Sequence, residues 1–185
     1  IKPTDDGGKR QQSTNEVVQR LDELMRNSIQ KHIRADMEVG CFLSGGLDSS
    51  TVVHYASQLM NSPVQTFSVG YNVRSYDERH YARIVSRQYD SYHYEVVCAP
   101  HDIIVFLDQL PYLGDVPIGD QANVSTYLVS KLAREKVKVC LSGEGADELF
   151  LGYPTYQADW LYPFFQWMPK SMMAGVERLC RLLPV

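Results

Sequence analysis

The sequence has no uninterrupted apolar run near the roughly 20 residues that a membrane-spanning helix needs. It has no lysine between Lys31 and Lys131, so no Walker loop with Gly-Lys-Ser/Thr at a helix start fits that stretch. It contains no G-x-G-x-x-G fingerprint for a Rossmann dinucleotide site and no G-x-S-x-G elbow for a serine hydrolase. No basic stripe appears: 18 Lys and Arg against 22 Asp and Glu give a net charge of −4, which argues against a nucleic-acid surface. The four cysteines, Cys41, Cys98, Cys140 and Cys180, form no C-x-x-C pair. They read as buried free thiols in a reducing cytoplasm rather than metal ligands. The five histidines show no metal-site spacing. Ile1–Asn15 is polar and Gly-rich, unlike a signal peptide. Because the first residue is not Met, the chain is expected to be a fragment or a processed piece.

What is present is a strand, a glycine loop and a helix in succession. Val39-Gly40-Cys41-Phe42-Leu43 is an apolar run, compatible with a buried parallel strand, and it ends in Ser44-Gly45-Gly46-Leu47-Asp48-Ser49-Ser50. A helical pattern follows at Thr51–Met60. Glycines let a backbone approach a ligand closely, and a helix N-terminus presents free N–H groups and a positive dipole end, so the combination is an anion site. Asp48 is the unusual element. A carboxylate inside a phosphate loop makes sense where a cation such as Mg²⁺ bridges the two. The alternative is a tight Gly-Gly turn with Asp48 as a helix cap.

The rest of the chain alternates strands and helices. Residues 1–15 read as a disordered leader or linker, ending in a capping box, Ser13-Thr14-Asn15-Glu16. Val18, Leu21, Met25, Ile29 and Ile33 then mark one face of a helix. Strands are predicted at Val39–Leu43, Val64–Val69, His93–Cys98 and Val137–Leu141. Helices are predicted through Tyr81–Gln88, opened by a second capping box at Ser75–Glu78, and at about His101–Leu110 and Asn123–Glu135. Gly70–Arg74 and Pro111–Asp120 read as loops. The last strand runs into a second glycine loop, Ser142-Gly143-Glu144-Gly145-Ala146-Asp147-Glu148. This order implies an α/β fold, a mostly parallel sheet with helices on both faces. In such sheets ligands sit beyond the carboxyl ends of strands where strand order reverses. If the first and fourth strands are neighbours there, the two loops face one cleft and Asp48 and Asp147 could share a metal. Glu144 and Asp147 could instead be plain helix N-terminal carboxylates. Beyond Tyr153 the sequence is crowded with aromatic residues, and residues 158–185 read as a truncated helical appendage.

With both loops in view, residues 16–157 resemble the synthetase domain of glutamine-dependent asparagine synthetases. The resemblance rests on Val39–Ser50, Thr66-Phe67-Ser68-Val69-Gly70 and Val137–Phe150, with Tyr76-Asp77-Glu78 and Ala82-Arg83 in support. The first loop alone is shared by the wider class of ATP pyrophosphatases. The second narrows the match to asparagine synthetases and β-lactam synthetases. The resemblance implies a Rossmann-like ATP-pyrophosphatase (adenine nucleotide alpha hydrolase-like) fold and a cytoplasmic ligase of asparagine biosynthesis. It also implies ATP and Mg²⁺ as cofactors, aspartate and ammonia as substrates, no nucleic-acid or membrane partner, and a homodimer in the full-length protein. In that pattern Leu43, Val69, Ser142 and Gly143 surround the nucleotide. Ser44, Gly45, Gly46, Asp48, Ser49 and Ser50 hold pyrophosphate, Asp48 and Asp147 carry Mg²⁺, and Glu144 serves adenylate formation and its breakdown by ammonia.

The sequence departs from the family in places. No glutaminase segment is visible. Val116 stands where many relatives carry a second acid, Leu151 where a glycine is usual, and Ser125 where a proline is frequent. Two other readings follow: an enzyme activating another carboxylate, as β-lactam synthetases do, or a nucleotide-binding fragment without catalysis.

Overall fold

A computed structural model describes residues 13–113, 120 and 122–156. The expected leader before residue 13, Val116, Cys180, the aromatic positions from Trp160 onward and the appendage at 158–185 lie outside the described residues. The chain divides into two compact units, Ile1–Gly143 and Glu144–Val185.

In the first unit, Ser13 caps α1 (Thr14–His32). Its Oγ accepts from the Glu16 N–H at 3.3 Å, and Glu16 accepts from the Ser13 N–H at 2.8 Å. This reciprocal bonding satisfies two donors that a helix start otherwise leaves orphaned. The expected strands form one parallel sheet: β1 (Val39–Phe42), β2 (Gln65–Tyr71), β3 (Tyr92–Cys98) and β4 (Val139–Leu141), in the order β3-β2-β1-β4. The intervening helices are α2 (Leu47–Leu59), α3 (Arg79–Gln88), α4 (Pro100–Leu113) and α5 (Ala122–Arg134).

Two apolar layers hold the sheet. On one face Cys41 and Leu43 pack with Val52, Val53 and Ala56 of α2, Ile29 of α1 and Ala82 of α3. On the other, Phe67 packs with Val129 and Ala133 of α5 and with Val137. The alternation along β1 and β2 therefore serves two cores, as expected for strands covered on both sides.

Several boundaries differ from the sequence reading, each for a local reason. The α2 helix begins at Leu47, not Thr51, because Gly46 already acts as its N-cap. Gly70 belongs to β2 rather than to a loop. The Ser75–Glu78 capping box does not form: Glu78 is the α3 N-cap, and no side chain caps it. Residues 73–76 instead make a turn in which the Tyr76 N–H donates to the Val73 carbonyl. The α4 helix carries Pro111 in its final turn and ends at Leu113, three residues beyond the expected end at Leu110. Val137 stays attached to the end of α5, its N–H donating to the Ala133 carbonyl at 2.8 Å, so β4 starts later than expected.

Cys41 and Cys98 are buried free thiols, as expected, while Cys140 is only partly covered. Burial pushes the Cys41 thiol up to about 12 and the Cys140 thiol up to about 11. A thiolate fraction on the order of 10⁻⁴ at pH 8 leaves Cys41 almost inert. Native chain treated with iodoacetamide should therefore label Cys41 far more slowly than the same chain in urea, as read by mass spectrometry. Equal rates would show that β1 is not covered.

Candidate active site

The strand order reverses beside β1. The chain steps outward from β1 to β2 to β3, then crosses back to place β4 on the other side of β1. The register pairs Val39 with Val139, Gly40 with Cys140 and Cys41 with Leu141. The segments leaving β1 and β4 therefore emerge side by side at the carboxyl end of the sheet. Contact is direct: a Cβ on Gly143 would lie 2.9 Å from the Ser49 nitrogen and 3.0 Å from the Asp48 Cβ.

The first loop is braced from within. Leu43 is 1% exposed and closes the strand. Its N–H donates to the Phe67 carbonyl at 2.9 Å, and its own carbonyl accepts from the Ser68 hydroxyl. The Ser44 N–H donates to Ser49 Oγ at 3.2 Å, the two serine hydroxyls lie 2.9 Å apart, and the Gly46 N–H donates to Ser44 Oγ at 3.2 Å. Gly45 is left-handed, with φ of 87°. A Cβ there would fall 2.5 Å from the Ala82 nitrogen and from the Tyr81 Cβ, so the backbone of α3 rests directly on this residue.

Three features of this loop suit a polyphosphate. No side chain caps the N-terminus of α2, which leaves its first-turn N–H groups for an anion. Ser50 Oγ is shielded from solvent and lacks a hydrogen-bond partner among the described residues, the kind of orphan a ligand or water satisfies. The Asp48 side chain forms no hydrogen bond or ion pair with another described residue and is not the helix cap. Among the described residues no group of three or more His, Cys, Asp or Glu could hold a metal. That donor set still fits Mg²⁺, which uses one or two carboxylates together with substrate phosphates rather than a protein cage. Val69, near the carboxyl end of β2, is partly buried against the second core layer.

Ser142 and Gly143 close the first unit, whereas Glu144 and Asp147 belong to the second. Within that unit α6 (Ala146–Phe150) starts after left-handed Gly145 and carries Asp147 and Glu148 in its first turn. Glu148 accepts from the Tyr153 hydroxyl at 2.8 Å, and Tyr153 is pushed up to about 12 chiefly by that bond. Leu151 has φ of 60°. A left-handed non-glycine residue costs about 1–2 kcal/mol. Leu151→Gly should therefore stabilise the chain by roughly 1 kcal/mol, read as a higher urea midpoint. A lower midpoint would mean that the Leu151 side chain contributes more than its backbone costs.

Sequence reading passed over a polar layer between α3 and the sheet. Thr66 Oγ1 lies 2.9 Å from His93 Nδ1, Glu95 accepts from Arg83 Nε at 2.7 Å, and Asp77 pairs with Arg79. Burial lowers His93, and the Arg83 guanidinium holds Glu95 below the usual carboxylate range. The D-x-R spacing of Asp77 and Arg79 was the available signal. Ser125 bonds the Tyr71 hydroxyl, joining α5 to the end of β2.

The asparagine synthase family model matches residues 20–183. Asparagine synthetase (glutamine-hydrolyzing) 1 of Bacillus subtilis is 32% identical over 174 residues, covering 94% of this chain and 27% of that protein. Asparagine synthetase (glutamine-hydrolyzing) of Homo sapiens is 37% identical over 146 residues, covering 74% and 26% respectively. The chain spans between 26% and 32% of the length of these and similar curated relatives. Among solved structures, the NH3-dependent NAD synthetase from Campylobacter jejuni aligns with a TM-score of 0.50 at 17% identity, covering 73% of this chain and 60% of that one. That likeness concerns the fold alone, the Rossmann-like ATP-pyrophosphatase (adenine nucleotide alpha hydrolase-like) arrangement. With the strand order, both glycine loops and a match over most of its length, the chain belongs to the asparagine synthase family.

Proposed function

We propose that this chain is the ATP-pyrophosphatase synthetase domain of an amide-forming ligase that converts aspartate to asparagine. The observation that carries the reading is the uncapped start of α2, with Asp48 unpaired among the described residues, beside the strand that leads into Ser142-Gly143. Backbone N–H groups of the loop and the hydroxyls of Ser44, Ser49 and Ser50 hold the β- and γ-phosphates of ATP. Gly45 and Gly46 let the backbone reach them. Leu43, Val69, Ser142 and Gly143 flank the nucleotide. Asp48 and, on the sequence motif alone, Asp147 would hold Mg²⁺, which would neutralise charge on the phosphate oxygens. The side-chain carboxylate of aspartate attacks the α-phosphorus, and the bond to the bridging oxygen breaks to release pyrophosphate. Ammonia then attacks the activated carbonyl, AMP leaves with the electron pair of the acyl–oxygen bond, and a proton is lost from nitrogen. Glu144 is the carboxylate assigned to that second transfer. Donors and cations placed where charge develops are the main source of rate in such reactions. The relatives' names, glutamine-hydrolyzing, support a glutaminase as the ammonia source.

ATP–pyrophosphate exchange in the intact protein that carries this domain tests the reading. Exchange that depends on aspartate is expected. Exchange only with a different carboxylic acid would transfer the site to that acid, as in β-lactam synthetases. No exchange with any acid would leave a nucleotide-binding module without chemistry.

A further inference from the structure

β2 ends at Tyr71, and an ion pair sits on its last turn of backbone. Arg79 Nε donates to Asp77 Oδ1 at 2.7 Å and Arg79 Nη2 donates to Oδ2 at 2.8 Å. The two side chains are only 17% and 23% exposed. They occupy the space above Gly70: a Cβ there would lie 2.2 Å from Arg79 Nε and 2.5 Å from Asp77 Oδ1. The Asp77 carboxylate also accepts from the Arg79 backbone N–H at 3.4 Å and lies at the Tyr71 backbone N–H. The pair thus joins the end of β2, where it fills the space above Gly70, to the first residue of α3, a helix with no side-chain cap of its own.

Two residues further on, Tyr81 and Ala82 form the wall against which Gly45 rests. The contact is backbone to backbone, so a shift of the α3 start moves the surface that holds Gly45 left-handed. We propose that Asp77 and Arg79 are positioning residues: their bidentate pair, seated on Gly70, fixes where α3 begins and through Tyr81 and Ala82 sets the shape of the Ser44–Gly46 loop. An exposed ion pair would contribute little. This pair is partly enclosed, bidentate and bonded to the Arg79 backbone N–H as well, which adds geometric specificity. The Arg79 guanidinium holds the Asp77 carboxyl down to about 2, so the pair stays charged throughout the neutral range.

That the loop receives phosphates rests on the proposed function. The clamp does not, and its test uses no nucleotide. Amide hydrogen exchange is followed in the full 185-residue chain for wild type, Asp77→Asn and Arg79→Lys. The Ser44 and Gly46 amides donate within the loop and report its closure. In both variants these two amides should exchange about tenfold faster or more, while the amides of β1 and β2 keep their wild-type rates. Arg79→Lys keeps the charge and loses only the fork, so it decides the matter if Asp77→Asn folds poorly. Unchanged exchange at Ser44 and Gly46 would overturn the proposal. So would uniform acceleration across the sheet, or loss of folding in both variants, since either makes the pair a general stabiliser. Failure of the ATP reading would show instead as a well-formed loop in the wild-type chain and no ATP–pyrophosphate exchange in the intact protein that carries it.

Discussion

Gly45→Ala is expected to destabilise the chain by about 2–5 kcal/mol, the sum of a left-handed penalty and an overpacked contact. The residue has φ of 87°, and the added methyl would meet the Ala82 nitrogen and Tyr81 Cβ at 2.5 Å. Real Cβ atoms do not approach that closely, so either α3 lifts from the sheet or the loop changes conformation. Neither escape is cheap. Ala82 is fully buried in the first core layer, and the loop is cross-braced by Ser44 and Ser49. In a domain of this size the loss corresponds to a fall in Tm of roughly 5–15 °C. Thermal unfolding followed by circular dichroism measures it. The control is Gly145→Ala, which places a methyl in open space although its φ of 89° is also left-handed. That variant should lose only about 1–2 kcal/mol, the backbone part. Equal effects at the two glycines would mean that α3 does not rest on the loop.

Asp48→Asn separates a functional carboxylate from a structural one. Asp48 sits in the first turn of α2, and its side chain has no partner among the described residues. Its contribution to stability is therefore limited to the favourable charge near a helix N-terminus, about 0.3–1 kcal/mol. Its contribution to the proposed reaction is much larger, because removing one group that stabilises charge in a transition state costs about 10²–10³ in rate. The expected result in the intact protein is a near-wild-type urea midpoint, a large loss of ATP–pyrophosphate exchange, and a raised Mg²⁺ requirement. Near-normal exchange at saturating Mg²⁺ would return Asp48 to the role of a helix-end charge.

Much of this architecture was legible in the sequence, because parallel strands covered on both faces are short apolar runs and their connecting helices carry a clear period. The four strands, their alternation with helices and the β1–loop–α2 unit could be read directly. What misled was polar residues in structural positions. Asp48, Ser49 and Ser50 read as loop because they are polar, yet they form the first turn of α2, where free N–H groups favour such side chains. Gly70 read as the start of a loop, whereas it stays in β2, and the Asp77–Arg79 pair fills the room that a side chain there would take. Ser75 and Glu78 matched a capping box by spacing alone, and a turn at residues 73–76 displaced it. The D-x-R spacing of Asp77 and Arg79 was visible, but the role proposed for the pair was not, because two residues so close in sequence become a clamp only when the strand end beneath them is known. For Glu144 and Asp147 the sequence motif remains the argument, since they belong to the second unit.

The central claim is that the Ser44–Ser50 loop binds the phosphates of ATP, and the most direct measurement is a map of backbone amide shifts as Mg²⁺-pyrophosphate is added to the isotopically labelled chain. The account predicts saturable shifts concentrated at Gly45, Gly46, Asp48, Ser49 and Ser50, with Gly143 responding because it touches Asp48 and Ser49, and their disappearance in Asp48→Asn. Shifts confined to other surfaces, or none at millimolar pyrophosphate, would contradict it.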